Sequence, residues 1–105
     1  MKDCIFCKIG RGEMGTEFLY EDNLCMIFRD INPVAKTHLL IVPRKHISTI
    51  ADLHDDDAGL VGHMTICARD IAKKLNLEGY KLVFNVGRSA GQIVFHVHMH
   101  LISNS

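Results

Sequence analysis

Short apolar segments separated by polar turn residues predict strands in the first half of the chain. Residues 22–29 form an apolar run between polar ends, and residues 37–42 form a second run that Pro43 closes. Apolar runs of this length bounded by turn residues are typical of strands. We expect an earlier partner strand near residues 18–20, and a turn at residues 30–33, where Asp, Asn and Pro lie together.

A helical pattern follows over residues 53–75. Apolar side chains recur there at intervals of three or four residues, at Leu60, Met64, Cys67, Ile71 and Leu75. This spacing places them on one face of a helix. The acidic run at residues 55–57 lies in the predicted first turn, and Lys73 and Lys74 lie in the last, which suits the helix dipole. We interpret the acidic run as a solvated helix start rather than a metal site.

The last part of the chain predicts two more strands with a loop between them. Residues 80–86 form one strand, residues 85–92 form a glycine-containing loop, and residues 94–102 form the other strand. Three histidines, His96, His98 and His100, occupy alternate positions in the last segment. Successive side chains of a strand point to opposite faces, so the imidazoles line one face. The other face carries the apolar side chains Phe95, Val97, Met99 and Leu101.

The order strand, strand, helix, strand, strand predicts an α+β fold: an antiparallel sheet of about five strands with one main helix. We expect the apolar row of the last strand to face the helix and the histidine row to face the open side. With 105 residues, 48% of them apolar, the chain predicts one folded domain over residues 1–105.

Composition and charge exclude some classes of protein. The chain carries 12 basic and 12 acidic residues and no basic run, so a surface dedicated to nucleic acid is not expected. No apolar run reaches the roughly 18 residues of a membrane helix, and no signal peptide is visible. We expect a cytoplasmic protein, also nuclear in a eukaryote, without membrane or nucleic-acid partners.

Two chemistries compete for the histidine row. A metal site built from three histidines needs them to converge on one point, whereas alternate positions on a strand diverge along it. Nucleophilic catalysis needs a neutral imidazole, oriented by its neighbours, that attacks phosphorus or a carbonyl carbon. This favours His98, the middle histidine, as the nucleophile, with His96 and His100 as supports. His38 joins the cluster if its strand shares the sheet.

The four cysteines are of two kinds. Cys25 and Cys67 lie within apolar patterns and are expected to be small buried hydrophobic residues. Cys4 and Cys7 form a Cys-x-x-Cys pair, which is a redox pair, a pair of structural thiols or half of a zinc site. Without a secretory signal, two disulfides are not expected.

The last segment resembles the signature of the histidine triad (HIT) superfamily. His96-Val97-His98-Met99-His100-Leu101-Ile102 matches its alternation of histidine and apolar residues. Other segments resemble the Hint branch of this superfamily in order and spacing, namely Cys4-Ile5-Phe6-Cys7-Lys8-Ile9, Glu21-Asp22, Phe28-Arg29-Asp30-Ile31-Asn32-Pro33, Thr37-His38, Val42-Pro43, Lys45-His46-Ile47 and Gly91-Gln92. The resemblance covers nearly the whole chain and implies the HIT-like fold.

This resemblance implies a purine nucleoside phosphoramidase. Such an enzyme hydrolyses the P–N bond of AMP-type or GMP-type phosphoramidates through a nucleotidyl-histidine intermediate, and no step requires a metal. His98 would be the nucleophile, with its other ring nitrogen held by the backbone carbonyl of His96. His100 and His38 would assist at the phosphate and within the triad. The resemblance also implies a homodimer.

The resemblance further implies a set of nucleotide-binding residues. Asp30 would bind the ribose hydroxyls and Asn85 the phosphate, and backbone N–H groups of residues 88–92 could donate to the phosphate as well. The walls of the base pocket would be Phe6, Phe28 and Leu40, for which simple core packing is an equal alternative. The remaining implied contacts are Ile31, Gly91 and Gln92.

For the Cys-x-x-Cys pair, the resemblance implies a structural zinc ion. Its ligands would be Cys4, Cys7, His46 and His96. Two thiolates and two imidazoles are donors that Zn²⁺ prefers, which favours zinc over free thiols.

Two alternatives to a phosphoramidase stay open. One is the sister HIT activity, hydrolysis of dinucleoside polyphosphates, and the other is a nucleotide-binding or interaction module with little turnover. Position 93 is Ile, where the Hint branch often carries a small hydroxyl residue that contacts the phosphate or the leaving group. Ile93 cannot donate a hydrogen bond, which keeps the binding module open.

Overall fold

A five-stranded antiparallel sheet is the centre of the structure, a computed structural model that describes residues 3–105. The strands are β1 (Tyr20–Glu21), β2 (Cys25–Arg29), β3 (Thr37–Pro43), β4 (Lys81–Val83) and β5 (Met99–Ser103), and the helices are α1 (Ile5–Gly10) and α2 (Ala58–Lys74). The strands lie in the order β1-β2-β3-β5-β4. The predicted α+β sheet with one main helix is confirmed.

Alternation along the strands divides the core into two layers. One face of the sheet packs against α2, through Cys25, Ile27, Leu39, Ile41, Met99 and Leu101. The other face packs against α1, through Met26, Phe28, Leu40 and Val42. In the paired register, Phe28, Leu40, His100 and Val83 are neighbours in one row across the sheet. The histidines of the sheet therefore lie on the α1 side.

The main helix begins later than the pattern predicts. Leu53 has an extended backbone with ψ of 141°, and α2 starts at Ala58 after a 3-10 turn at Asp55–Asp57. The interpretation of the acidic run as wholly solvated is wrong for Asp57, which is buried and accepts a hydrogen bond of 2.6 Å from Lys45 Nζ. A buried carboxylate needs such a partner.

Helix α1 was not predicted from the pattern. It is a six-residue helix, and only Phe6 and Ile9, one turn apart, are buried in it. That spacing is a helical signal, but a single pair is too short to separate from a strand or a loop.

The histidine segment is only partly a strand. β5 begins at Met99, so the prediction of a strand over residues 94–102 is wrong for its first half. Because Ile41 pairs with Met99, continuing the register would set Pro43 opposite Val97, and proline has no N–H to extend the ladder. The N–H of Val97 donates instead to the Ile47 carbonyl at 2.7 Å.

The apolar row is also shorter than predicted. Val97, Met99 and Leu101 are buried against α2, but Phe95 is 37% exposed. Among the other strands, β2 and β4 are shorter than the predicted runs, β3 extends through Pro43, and β1 begins at Tyr20 rather than near residue 18. Within the described residues, neither helix has the length and apolar character needed to cross a membrane.

Candidate active site

The three histidines of the triad point to two different places. His100 lies in β5, whereas His96 and His98 precede it in an irregular segment. His98 and His100 remain neighbours, with ring centroids 4.9 Å apart. His96 turns toward Cys4, Cys7 and His46. The expectation of one row on one face therefore holds for His98 and His100 only.

One hydrogen bond defines the tautomer of His98. Its Nδ1 atom lies 2.8 Å from the carbonyl oxygen of His96. A carbonyl only accepts, so Nδ1 carries the proton and Nε2 keeps a lone pair. Phe6 packs edge-on against the ring at a centroid distance of 5.0 Å, which restricts its rotation. His98 is thus a neutral imidazole, held in place with Nε2 available to attack.

A second hydrogen-bond chain orients His100 from across the sheet. The N–H of Val34 donates to His38 Nδ1 at 3.1 Å, so His38 carries its proton on Nε2. This Nε2–H donates to His100 Nδ1 at 2.9 Å. His100 therefore carries its own proton on Nε2, 3.5 Å from Asn85 Nδ2, and these two groups are both donors rather than partners of one hydrogen bond. The chain presents a fixed donor beside His98.

Asp30 approaches this chain at the same nitrogen of His38 that donates to His100. Its Oδ2 atom lies 3.4 Å from His38 Nε2, and its Oδ1 accepts the N–H of Asn32 at 2.8 Å. The side chain is 18% exposed. It remains open to a hydroxyl donor from solvent or from a ligand, as the resemblance implies for Asp30.

Burial keeps this pair of histidines neutral. It lowers the pKa of His98, against the opposing effects of the His96 carbonyl and the Asp30 charge. Burial, with His98 and His38 close by, lowers the pKa of His100 to about 4. At neutral pH both rings are therefore uncharged, which is the state that a nucleophilic imidazole needs.

The three residues proposed as walls of a base pocket are packed into the core. Phe6, Phe28 and Leu40 are each no more than 6% exposed, and the two phenyl rings lie edge to face at 5.7 Å. Ile31, by contrast, is 91% exposed at the turn after β2. Among these apolar residues implied to contact the nucleotide, Ile31 alone has most of its side chain free to contact a ligand.

The loop before the triad is held by the side chain of Gln92. Its Oε1 accepts the N–H of Gly87 at 2.8 Å, and its Nε2 donates to the carbonyls of Ser48 and Val94 at 2.8 and 3.0 Å. The amide is 3% exposed and has all its hydrogen bonds within the chain. The side chain of Gln92 therefore stabilises the conformation of this loop.

Backbone donors in this loop are fewer than the sequence suggests. The N–H groups of Ala90, Gly91 and Gln92 bond to carbonyls of the loop itself. Those of Arg88 and Ser89 open the 3-10 turn, where no acceptor lies within the turn. Gly91, with φ of +94°, closes the turn in a conformation that favours glycine. Arg88 and Ser89 are thus the donors that the loop can offer to a phosphate.

The second place to which the triad points is a cluster of two thiols and two imidazoles. His96 Nδ1 lies 3.3 Å from Cys4 Sγ, 3.6 Å from Cys7 Sγ and 3.2 Å from His46 Nδ1. The Cys7 Sγ to His46 Nδ1 distance is 3.5 Å. His96 is fully buried, and its Nε2 donates to the Pro43 carbonyl at 2.7 Å, so its Nδ1 carries the lone pair.

These distances fit a tetrahedral zinc ion. Bonds of about 2.3 Å to sulfur and about 2.0 Å to nitrogen give edges of about 3.5 Å between sulfur and nitrogen and about 3.3 Å between the nitrogens. All four predicted ligands meet, and the Pro43 carbonyl fixes the His96 ring from behind, as is usual for a metal-ligating histidine. The backbone acceptor at Pro43 has no signal in the sequence, because every residue carries a carbonyl.

An α+β fold that places His98 next to His100 of β5, with His38 of β3 across the sheet, defines a histidine triad domain. A family model described as scavenger mRNA decapping enzyme C-term binding matches residues 3–105. The chain is 40% identical to protein HitA of Neisseria gonorrhoeae over 103 residues, which are 97% of this chain and 96% of that protein. The chain belongs to the histidine triad (HIT) family.

Solved structures agree with this assignment. The HIT family hydrolase of Legionella pneumophila Philadelphia 1 is 47% identical, with a TM-score of 0.93 that covers 98% of this chain and 94% of that one. The histidine triad nucleotide-binding protein of Candida albicans is 35% identical, with a TM-score of 0.86 over 98% of this chain and 76% of that one.

Proposed function

We propose that the protein is a nucleotide hydrolase that cleaves the P–N bond of purine nucleoside phosphoramidates through a nucleotidyl-histidine intermediate. The observation that carries the proposal is the hydrogen bond from His98 Nδ1 to the His96 carbonyl, which leaves Nε2 as a free, neutral nucleophile. The relatives described as a hydrolase and as a nucleotide-binding protein support both halves of the proposal.

The first step is attack by His98 Nε2 on phosphorus. The P–N bond breaks, its electron pair stays on the departing nitrogen, and that nitrogen takes a proton from solvent, since Ile93 at the loop is 88% exposed and carries no donor. The His96 carbonyl accepts the Nδ1–H of the ring and stabilises the positive charge that the ring gains. His100 Nε2–H and the N–H groups at residues 88–89 donate to the phosphate oxygens.

The second step is attack by water on the same phosphorus. The P–Nε2 bond breaks, its electron pair returns to His98, and the water proton passes to solvent. The products are the amine and the nucleoside monophosphate, and the imidazole is neutral again. Asp30 and Ile31 would hold the ribose and the base, since both are open at the turn after β2.

We also propose that zinc occupies the Cys4, Cys7, His46 and His96 cluster as a structural ion. When bound, the ion would tie α1 to the segment that carries His98. The proposal includes a homodimer, supported by β4 at the outer edge of the sheet, where Leu82 and the preceding Tyr80 are each 37% exposed. Sedimentation velocity tests the homodimer. A protein that sediments as a monomer at micromolar concentration would contradict it.

The reaction is tested with an adenosine phosphoramidate and a diadenosine polyphosphate as substrates. We expect the wild type to cleave the phosphoramidate, and His98→Ala to lose at least about 10³-fold in rate, as removal of a nucleophile does. The control is His54→Ala, an exposed histidine outside both clusters. Equal rates for His98→Ala and the wild type would contradict the nucleophile. Preferential cleavage of the polyphosphate, or AMP binding without any cleavage, would contradict the phosphoramidase.

A further inference from the structure

A second cluster of metal-ligating side chains lies on the opposite side of the sheet, and the proposed chemistry does not use it. It consists of Asp22, Cys25, His63 and Cys67, and one ligand atom from each lies within 4.8 Å of the others. Asp22 lies in the turn between β1 and β2, and Cys25 begins β2. His63 and Cys67 lie one turn apart on α2. The cluster therefore joins the helix to the sheet.

Two contacts within the cluster share one nitrogen of His63. His63 Nε2 lies 2.6 Å from Asp22 Oδ2 and 3.5 Å from Cys67 Sγ. A nucleophilic thiol activated by an Asp–His pair needs the two ring nitrogens for its two partners. Because the carboxylate and the thiol share Nε2, the arrangement is not that of a catalytic triad.

We propose that this cluster is a second site for Zn²⁺ or a similar thiophilic divalent cation, with Cys25, Cys67, His63 and Asp22 as ligands. Two thiolates, one imidazole and one carboxylate are donors that select such a cation. Binding releases the two thiol protons, and the site with Zn²⁺, two thiolates and the carboxylate carries a net charge of −1.

The distances fit tetrahedral coordination at three of the four measured edges. The Cys25 to Cys67 sulfur distance is 3.6 Å, against about 3.8 Å expected, and Cys67 lies 3.5 Å from the imidazole nitrogen and 3.8 Å from the carboxylate, against about 3.5 Å. Only the His63 to Asp22 distance, 2.6 Å, must lengthen, by about 0.7 Å.

The surroundings hold the carboxylate and leave an entry path. Asp22 Oδ1 accepts the N–H groups of Leu24 and Cys25 at 2.8 Å each, and Tyr20 donates to Oδ2 at 2.7 Å. Such outer contacts are typical of metal-ligating carboxylates. The side chains of His63 and Asp22 are 33% and 23% exposed, whereas Cys25 is fully buried. A cation therefore reaches the thiols past the imidazole.

The test is a Co²⁺ titration of reduced, metal-free protein, followed by the absorption that thiolate ligands give to cobalt. We expect the wild type and His54→Ala to bind two equivalents per chain, and His63→Ala to bind one. His63 is partly exposed, so its replacement leaves the core filled. The double variant Cys4→Ser with Cys7→Ser is expected to keep the equivalent that His63→Ala loses.

The proposal is overturned if His63→Ala binds as much Co²⁺ as the wild type. Cadmium NMR of the wild type gives a second measure that needs no variant, because two sites with different ligands give two resonances. A single cadmium resonance that disappears in Cys4→Ser with Cys7→Ser would also overturn it. If the cluster of Cys4, Cys7, His46 and His96 does not bind metal, the wild type binds one equivalent of Co²⁺, and His63→Ala removes it. The two metal proposals are therefore tested separately.

Discussion

Replacing Gln92 separates its role in the loop from a role in nucleotide binding. Its buried amide makes three hydrogen bonds, to Gly87, Ser48 and Val94, which hold the loop before His98 against the segment after β3. A net value of about 1 kcal/mol for each hydrogen bond gives a loss of about 3 kcal/mol for Gln92→Ala. At about 4–8 °C for each kcal/mol, we expect the melting temperature to fall by about 12–24 °C.

Gln92→Glu sharpens this prediction. The new carboxylate can still accept the Gly87 N–H, but it faces the Ser48 and Val94 carbonyls, which also only accept. Burial beside two carbonyls raises the pKa of the new carboxyl in the folded state above its unfolded value of about 4.3. The variant is therefore weakest at neutral pH, and the deficit in its stability relative to the wild type shrinks as the pH falls through the folded-state pKa.

Urea and thermal unfolding followed by circular dichroism measure these changes, together with AMP binding by calorimetry. Asn104→Ala is the matched control, because its amide oxygen accepts one exposed hydrogen bond, from Lys36 N–H, and its loss is expected to cost less than about 0.5 kcal/mol. The reasoning is refuted if Gln92→Ala melts within about 3 °C of the wild type and yet binds AMP much more weakly. Gln92 would then contribute to nucleotide binding rather than to the stability of the loop.

Three further predictions concern the histidine pair, the first metal cluster and the core. The ring of His100 is expected to titrate in NMR with a midpoint at about 4, below the ordinary histidine pKa of 6.5, and a midpoint near 6.5 would contradict this. Because the pKa is lower in the folded state, the contribution of His100 to stability is complete above pH 6.5 and is lost as the pH falls toward 4. A zinc chelator is expected to lower the melting temperature of the zinc-loaded wild type by more than that of Cys4→Ser with Cys7→Ser, which keeps only the second cluster, and equal shifts in both would exclude zinc from the first cluster. Met64→Ala, at a fully buried position of α2, is expected to lower the free energy of unfolding in urea by about 2–5 kcal/mol. Ile66→Ala, 45% exposed on the same helix, is expected to lower it by under about 1 kcal/mol. Similar losses in the two variants would contradict the packing of the Met64 face of α2 against the sheet.

Patterns with many repeats predicted the fold well. Four regularly spaced apolar positions of α2, followed by Leu75 at its end, predicted the covering helix, and the apolar runs of β2 and β3 predicted the sheet, because each pattern repeats over several buried side chains. Helix α1 was not found, since two buried side chains do not make a period. The start of β5 was placed too early because a proline in the neighbouring strand ends the ladder, and pairing partners are not visible within one segment.

The site was predicted in its chemistry more than in its geometry. The alternation of His96, His98 and His100 indicates that imidazoles matter, but it does not show that His96 turns away from the row. Only the resemblance grouped His96 with Cys4 and Cys7, where the structure places it. The direction of each ring depends on backbone acceptors, at His96 for His98 and at Pro43 for His96. The resemblance implied the His96 carbonyl as the partner of His98, whereas the Pro43 carbonyl behind His96 is seen only in the folded structure, since every position carries a carbonyl.

The burial of β3 on both faces has a consequence for the register of the sheet. If β3 slipped by one residue against β5, Leu39 and Ile41 would exchange faces of the sheet with Leu40 and Val42. The buried apolar area would hardly change, since the layers on both faces are apolar. The same slip would carry His38 under α2, away from His100, and leave a buried imidazole without its partner. The His38–His100 pair thus favours the native register of β3 against β5, where apolar burial alone does not.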